Sequence, residues 1–244
     1  MCKCRCLQFA TFVYQFLRMA TYNVAAPQTG LQSPKSWYEF RSDLAKETLN
    51  VYKRYEPFLK FASQASKIPV PILLGFIMVE SNGIPTAGGK GSITQGLMQW
   101  NRTFAKDQLK YEFEKGRLSP AEKAKFAEYG ITFDSKGNTR AITSADQVKP
   151  ELNILIGAMI LGQLMDEKWA SVGGKLRLDR VIAVYNAGAF GETGKKARLG
   201  QHPSASALAN DVNVITRAYI NKLLGRDGVL DVVSTDLRGS VQQA

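Results

Sequence analysis

The run Pro69-Val70-Pro71-Ile72-Leu73-Leu74-Gly75-Phe76-Ile77-Met78-Val79-Glu80-Ser81 decides how the chain is read. It is apolar almost throughout, carries prolines only where a helix's first turn tolerates a missing N–H, and gives way to Asn82-Gly83. The spacing predicts a helix over 69–81 that ends on an acid. At that end the helix macrodipole disfavours a carboxylate by roughly 0.3–1 kcal/mol, so local stability argues against Glu80. Burial and the dipole both raise a carboxyl pKa, which suits an acid that must hold its proton near neutral pH. From these residues alone, a surface glutamate at a helix end fits equally well.

Working outward, residues 37–67 place Tyr38, Phe40, Leu44, Leu49, Tyr52, Phe58 and Phe61 at three-to-four spacing, which predicts helix, with a break or fresh start at Pro57. After Gly83 come a glycine-rich loop, Ala87 to Ser92, and then Gly96-Leu97-Met98-Gln99-Trp100. Helical patterns continue from Phe104 to Tyr129. Residues 131–142 alternate around Ser135-Lys136-Gly137-Asn138 and predict a small β-hairpin. Further helices are expected over 150–169, with Leu152, Leu155, Ile156, Met159, Ile160, Gln163 and Leu164 inward, over 178–186 with a cap at Ala187-Gly188, and over 210–224. A polar, loose tail is expected from Arg226. The fold class is therefore mostly α, with one small hairpin. Residues 1–36 are read as an N-terminal extension or arm, 37–225 as one domain and 226–244 as a tail.

Composition bounds the function. The 244 residues are 45% hydrophobic and 22% charged, enough for a real core. The net charge of +11 favours a polyanionic partner: nucleic acid, an anionic membrane or an acidic cell wall. Cys2, Cys4 and Cys6 match neither a C-x-x-C pair nor a zinc knuckle. With His202 the only histidine, a His-based metal site or a Ser-His-Asp triad has no material, and no metal or cofactor is expected. The loop Gly88-Gly89-Lys90-Gly91-Ser92 lacks the Ser or Thr after lysine and the preceding strand of a phosphate loop. The apolar stretch Leu7 to Leu17 is interrupted by Gln8, Thr11 and Gln15 and is too short to span a bilayer. Residues 1–18 read as an upstream extension of a start at Met19.

Taken singly, Gly96-Leu97-Met98-Gln99 reads as core plus a solvated glutamine, and Tyr185-Asn186-Ala187-Gly188 as a buried tyrosine and a helix cap. Their order carries more. Glu80-Ser81, then Gly96-Leu97-Met98-Gln99, then Pro150-Glu151-Leu152-Asn153-Ile154 with Gly157, then Ala183-Val184-Tyr185-Asn186-Ala187-Gly188 resemble the motifs of the soluble lytic transglycosylase family, over roughly residues 58–224. The resemblance implies a lysozyme-like fold that cleaves peptidoglycan between N-acetylmuramic acid and N-acetylglucosamine, leaving a 1,6-anhydro end. It makes Glu80 the single catalytic acid and base. Ser81, Ser92, Gln99, Tyr185 and Asn186 become substrate-binding candidates, with Tyr185 supporting Glu80. Ile93-Thr94 and Trp100-Asn101 depart from the family pattern, and the 102–148 connector is longer than usual. Competing readings are a hydrolytic lysozyme or chitinase on the same fold and a structural virion protein that binds peptidoglycan. The expected partners are glycan strands and other virion proteins, with non-specific nucleic acid or membrane contact through the basic surface. The expected location is a bacteriophage virion acting in the host periplasm, the alternative being the bacterial periplasm itself.

Overall fold

The structure is a computed structural model that describes Leu31, residues 37–89 and residues 91–237. Of the expected arm, only Leu31 falls among them. It is buried, and its carbonyl accepts the N–H of Arg226 at 3.1 Å. The cysteines and the apolar stretch 7–17 lie outside the described residues, as does the end of the expected tail.

The described residues form eleven α-helices and one two-stranded antiparallel sheet, so the protein is mostly helical. In chain order the elements are α1 Arg41–Ser66, α2 Val70–Ser81, α3 Arg102–Glu114, α4 Pro120–Glu128, α5 Ser144–Gln147, α6 Pro150–Asp166, β1 Ser171–Val172, β2 Lys175–Leu176, α7 Leu178–Ala187, α8 Glu192–Leu199, α9 Ala205–Asp211, α10 Val214–Leu224 and α11 Val229–Thr235. The described residues fall into two compact units. One takes the described residues up to Leu49, Pro69–Gly75 and the described residues from Leu164 on. The other takes Asn50–Ile68 and Phe76–Gln163. No single helix among the described residues is long and apolar enough to cross a membrane.

The second unit holds Glu80 and is built on helices apolar all round, as buried helices must be. Phe76, Ile77 and Met78 of α2 are fully buried. So is the first half of α6: residues from Leu152 to Met159 are buried on every side, while Ile160, Gln163 and Leu164 are half-exposed, which corrects the one-sided burial expected of this helix. Helix α1 also departs from expectation by running straight through Pro57. An interior proline costs about 3 kcal/mol. Burial of Val51, Tyr52 and Tyr55 before it and of Leu59 and Ala62 after it offsets that cost.

The hairpin expected over 131–142 is absent. The Asp134 carboxylate accepts the N–H groups of Lys136 and Asn138, each at 2.8 Å, and the Asn138 side-chain amide at 2.9 Å. The turn thus closes on Asp134 alone, and no strand ladder extends from it. Buried Ile131 and Ile142, and Phe133 stacked on Phe113 at 5.5 Å, anchor the segment instead.

The small sheet lies in the first unit, where Ser171 pairs with Leu176 and Val172 with Lys175. The turn is Gly173-Gly174, both at positive φ, the backbone of a tight two-residue hairpin. Helices α5, α8 and α11 form where none was expected, α9 lies almost wholly before the helix expected over 210–224, and that helix begins at Val214 as α10. Between α9 and α10 the Asn213 side chain accepts the Thr216 N–H at 2.8 Å and starts α10 afresh. The expected loose tail includes α11, whose Val229, Leu230, Val232 and Val233 are buried. Arg41 clamps it to the start of α1, donating to Asp227 and Asp231 at 2.7 Å and to Asp236 at 2.9 Å. Burial works against that guanidinium's charge, but the three carboxylates outweigh it and hold its pKa above the ordinary value.

Candidate functional site

Glu80 stands in the last turn of α2, half-buried, next to a helix end held from several directions. Ser81, expected at the sugar, is instead buried, 7% exposed. Its hydroxyl lies 3.0 Å from the Ile77 carbonyl and 2.9 Å from the Leu97 carbonyl and donates its one proton to that pair. It therefore braces the end of α2 against the Gly96-Leu97-Met98-Gln99 loop. One residue on, Asn82 adopts φ 52° and Gly83 packs so closely on Val51 that a Cβ would lie 2.3 Å from its Cγ2. The Tyr55 hydroxyl donates to the Gly83 carbonyl at 3.0 Å. The chain leaving Glu80 thus has one path.

The loop facing Ser81 is fixed by Asn153 of α6, which is fully buried. Its Oδ1 accepts the Met98 N–H at 2.8 Å. Its Nδ2 donates to the carbonyls of Gln95 at 3.0 Å and Gln147 at 2.7 Å. Its own carbonyl accepts the Trp100 indole N–H at 2.9 Å. Gln147 adds bonds from Nε2 to the Ile93 carbonyl at 3.0 Å and the Trp100 carbonyl at 2.8 Å. Buried backbone groups demand partners, and here two amide side chains supply them. Two glycines allow the approach. At Gly96, φ 89°, a Cβ would stand 2.1 Å from the Gln147 carbonyl oxygen and 2.2 Å from Asn153 Nδ2. At Gly157 it would stand 2.5 Å from the Met98 sulfur.

Gln99 follows in the left-handed region at φ 47°, which non-glycine residues occupy at a cost. Its Nε2 donates to the Gly96 carbonyl at 2.7 Å, and its Oε1 faces Gly88, where a Cβ would come within 2.8 Å. The bonds on either side, at Met98 and Trp100, hold this strained turn in place. Such strain collects at sites where a side chain must be presented in one direction.

Ser92 is half-buried. Its hydroxyl accepts the Thr94 N–H at 3.2 Å, and its carbonyl accepts from Arg102 at 2.9 Å. Thr94 and Asn101 form an isolated antiparallel bridge that closes the loop, and the Asn101 side chain then caps α3 by accepting the Thr103 N–H at 2.9 Å.

Of the residues expected at the site, Glu80, Ser81, Ser92 and Gln99 all belong to this unit. Tyr185 and Asn186 lie on α7 in the other, where the Asn186 Oδ1 accepts the Thr216 hydroxyl at 2.9 Å and ties α7 to α10. Asn153, Gly157 and Gln147 emerge as the loop's supports. Asn153 and Gly157 stood within a quoted motif, but nothing in their spacing says that an amide would bond three segments. Gln147 had no signal of its own. No family model and no curated protein matches the chain, and what the site does is read from its own residues.

Proposed function

We propose that the protein is a peptidoglycan lytic transglycosylase on a lysozyme-like fold, with Glu80 as its catalytic acid and base. One observation carries the reading. Residues from three separately placed motifs, Ser81, Gly96 to Gln99, and Asn153 with Gly157, are mutual partners around the end of the helix that bears Glu80. A constellation built only for stability has no need of a strained glutamine whose two neighbours, Met98 and Trp100, are held by buried amides.

In the proposed reaction Glu80 protonates the bridging oxygen as the bond from muramoyl C1 breaks. The carboxylate then takes the proton from the muramoyl C6 hydroxyl, whose oxygen bonds to C1 and closes a 1,6-anhydro ring. The proton given is the proton regained, so no water is consumed and no second carboxylate is required, unlike the two-carboxylate scheme of most glycosidases. Gln99 is proposed to present its amide to the sugar, and Ser81 to hold the helix end in place without touching substrate.

The test is Glu80→Gln assayed on purified sacculi with mass analysis of the products. The unaltered protein is expected to release anhydro-muropeptides, and the variant to lose at least about a thousandfold in rate, the scale of general acid–base assistance. Reducing ends in place of anhydro ends would replace the reading with hydrolysis. Undiminished activity in the variant would overturn it.

A further inference from the structure

The most exposed large apolar side chains among the described residues gather in one stretch that the proposed chemistry does not use. Phe190 and Val214 are each 74% exposed, Leu199 71% and Ile215 70%, while no other exceeds 58%. Three of them sit on backbone that is tied down. The loop after α7 folds back on α8, where a Cβ on Gly194 would lie 1.9 Å from the Gly188 carbonyl oxygen. Arg198 Nε donates to the Ala189 carbonyl at 3.0 Å, and its guanidinium lies over the Phe190 ring, 5.8 Å from the centroid. The Asn213 side-chain amide donates to the Thr193 hydroxyl at 2.9 Å, which sets the first turn of α10, with Val214 and Ile215, against the first turn of α8. Thr216, next in sequence, is buried, so that turn is fixed as well. Apolar groups presented in this way mark a surface that meets a partner.

The charge around them is uneven. Between 188 and 217 stand Lys195, Lys196, Arg198 and Arg217 against Glu192 and Asp211, with His202 the one further titratable side chain. Lys196 pairs with both acids, each at 3.6 Å, and Asp211 also meets His202 at 3.0 Å. Lys195, Arg198 and Arg217 make no ion pair among the described residues. We infer that Phe190, Val214 and Ile215 dock this unit on an anionic phospholipid surface, entering the acyl boundary while Lys195, Arg198 and Arg217 meet the headgroup phosphates. The occupant follows from charge. A second copy laid on the same patch would bring the unpaired cations against one another across a two-fold axis. An anionic bilayer takes the apolar and the basic groups together, and the Arg198 guanidinium over Phe190 suits that boundary.

The test is flotation of the full chain with vesicles of phosphatidylglycerol and phosphatidylcholine, and with vesicles of phosphatidylcholine alone. The unaltered protein is expected to partition onto the anionic vesicles at least about twentyfold more strongly, the worth of two basic residues at about fivefold each, and to leave them as salt rises. Phe190→Ser, and Val214→Ser combined with Ile215→Ser, are each expected to lower partitioning at least about tenfold. Lys195→Gln is expected to lower the preference for anionic vesicles about fivefold. All four positions are exposed, so thermal unfolding is expected to be unchanged, which separates lost docking from lost folding. Equal partitioning onto the two kinds of vesicle overturns the inference. So does an affinity that the serine variants leave intact, which would place it in another segment such as residues 7–17. Concentration-dependent dimerisation abolished by the serine variants, with no vesicle binding, assigns the patch to a second copy and overturns it too. None of these outcomes touches the Glu80 reading, and Glu80→Gln is expected to float as the unaltered protein does.

Discussion

Asn153→Ala is the sharpest test of how the site is held. The substitution removes three side-chain hydrogen bonds of 2.7 to 3.0 Å from a fully buried position. The Met98 N–H is then left buried without a partner, at a cost of about 1–3 kcal/mol, and the carbonyls of Gln95 and Gln147 lose a donor each, at about 1 kcal/mol apiece. The sum, about 3–5 kcal/mol, is a large share of the ~5–15 kcal/mol that holds a typical domain together. Asn153→Asp keeps an acceptor for Met98 but turns a carboxylate oxygen toward two carbonyl oxygens, so it is expected to be no milder at neutral pH. Urea unfolding followed by intrinsic fluorescence gives the stability. Hydrogen exchange over residues 87–101 gives the location, because the Met98 amide should lose its protection well before α6 does. If Asn153→Ala costs under about 1 kcal/mol and leaves the exchange of that loop unchanged, the account of Asn153 as the loop's main clasp is wrong.

Two further outcomes follow from the same unit. Gly96→Ala is expected to be more damaging than Gly157→Ala: at 96 the new methyl meets a backbone carbonyl and a locked amide at positive φ, whereas at 157 it meets the bendable Met98 side chain. Comparative thermal unfolding would rank them, and the reverse order would show that the loop gives way more easily than its bonds imply. Asp146 offers a pH dependence. Burial disfavours its charge, but bonds from Arg140 and from the Thr143 N–H and hydroxyl outweigh burial and hold its pKa far below the usual carboxylate range. A carboxylate depressed on folding lends stability that is whole above its unfolded pKa of about 3.9 and is lost as pH falls toward the folded value. Asp146→Asn should therefore lower stability at pH 7 and flatten the acid limb of a stability–pH curve, and an unchanged acid limb would remove Asp146 as its source.

How much of this was legible in the sequence varies with the range of the force that fixed each part. Helix α2 was readable because an apolar run has one outcome wherever it is buried, and the cap at Gly188 because it is local. The segment 131–142 misled because alternation alone cannot tell a ladder from a loop whose turn closes on Asp134 and whose apolar residues pack separately. The true hairpin was signalled by Gly173-Gly174, but its strands are two residues long and show no period. Helices α8, α9 and α11 are seven or eight residues each, too short for a face to repeat. At the site, the position of Glu80 at the end of its helix followed from the sequence. The brace by Ser81 and the clasp by Asn153 did not, since a polar residue's worth inside a protein is decided by what the fold brings opposite it.

The clasp also bears on the long stretch between its two ends. Met98 and Asn153 are 55 positions apart, and their bond closes that span into a ring. Closing a ring costs little more when it grows, about 0.6 kcal/mol for each doubling of its length. Provided that Gln147 stays at its post, the intervening helices are thermodynamically cheap to lengthen, trim or exchange. The loop that carries Gln99 can thus keep its place while the segment that joins it to α6 changes length.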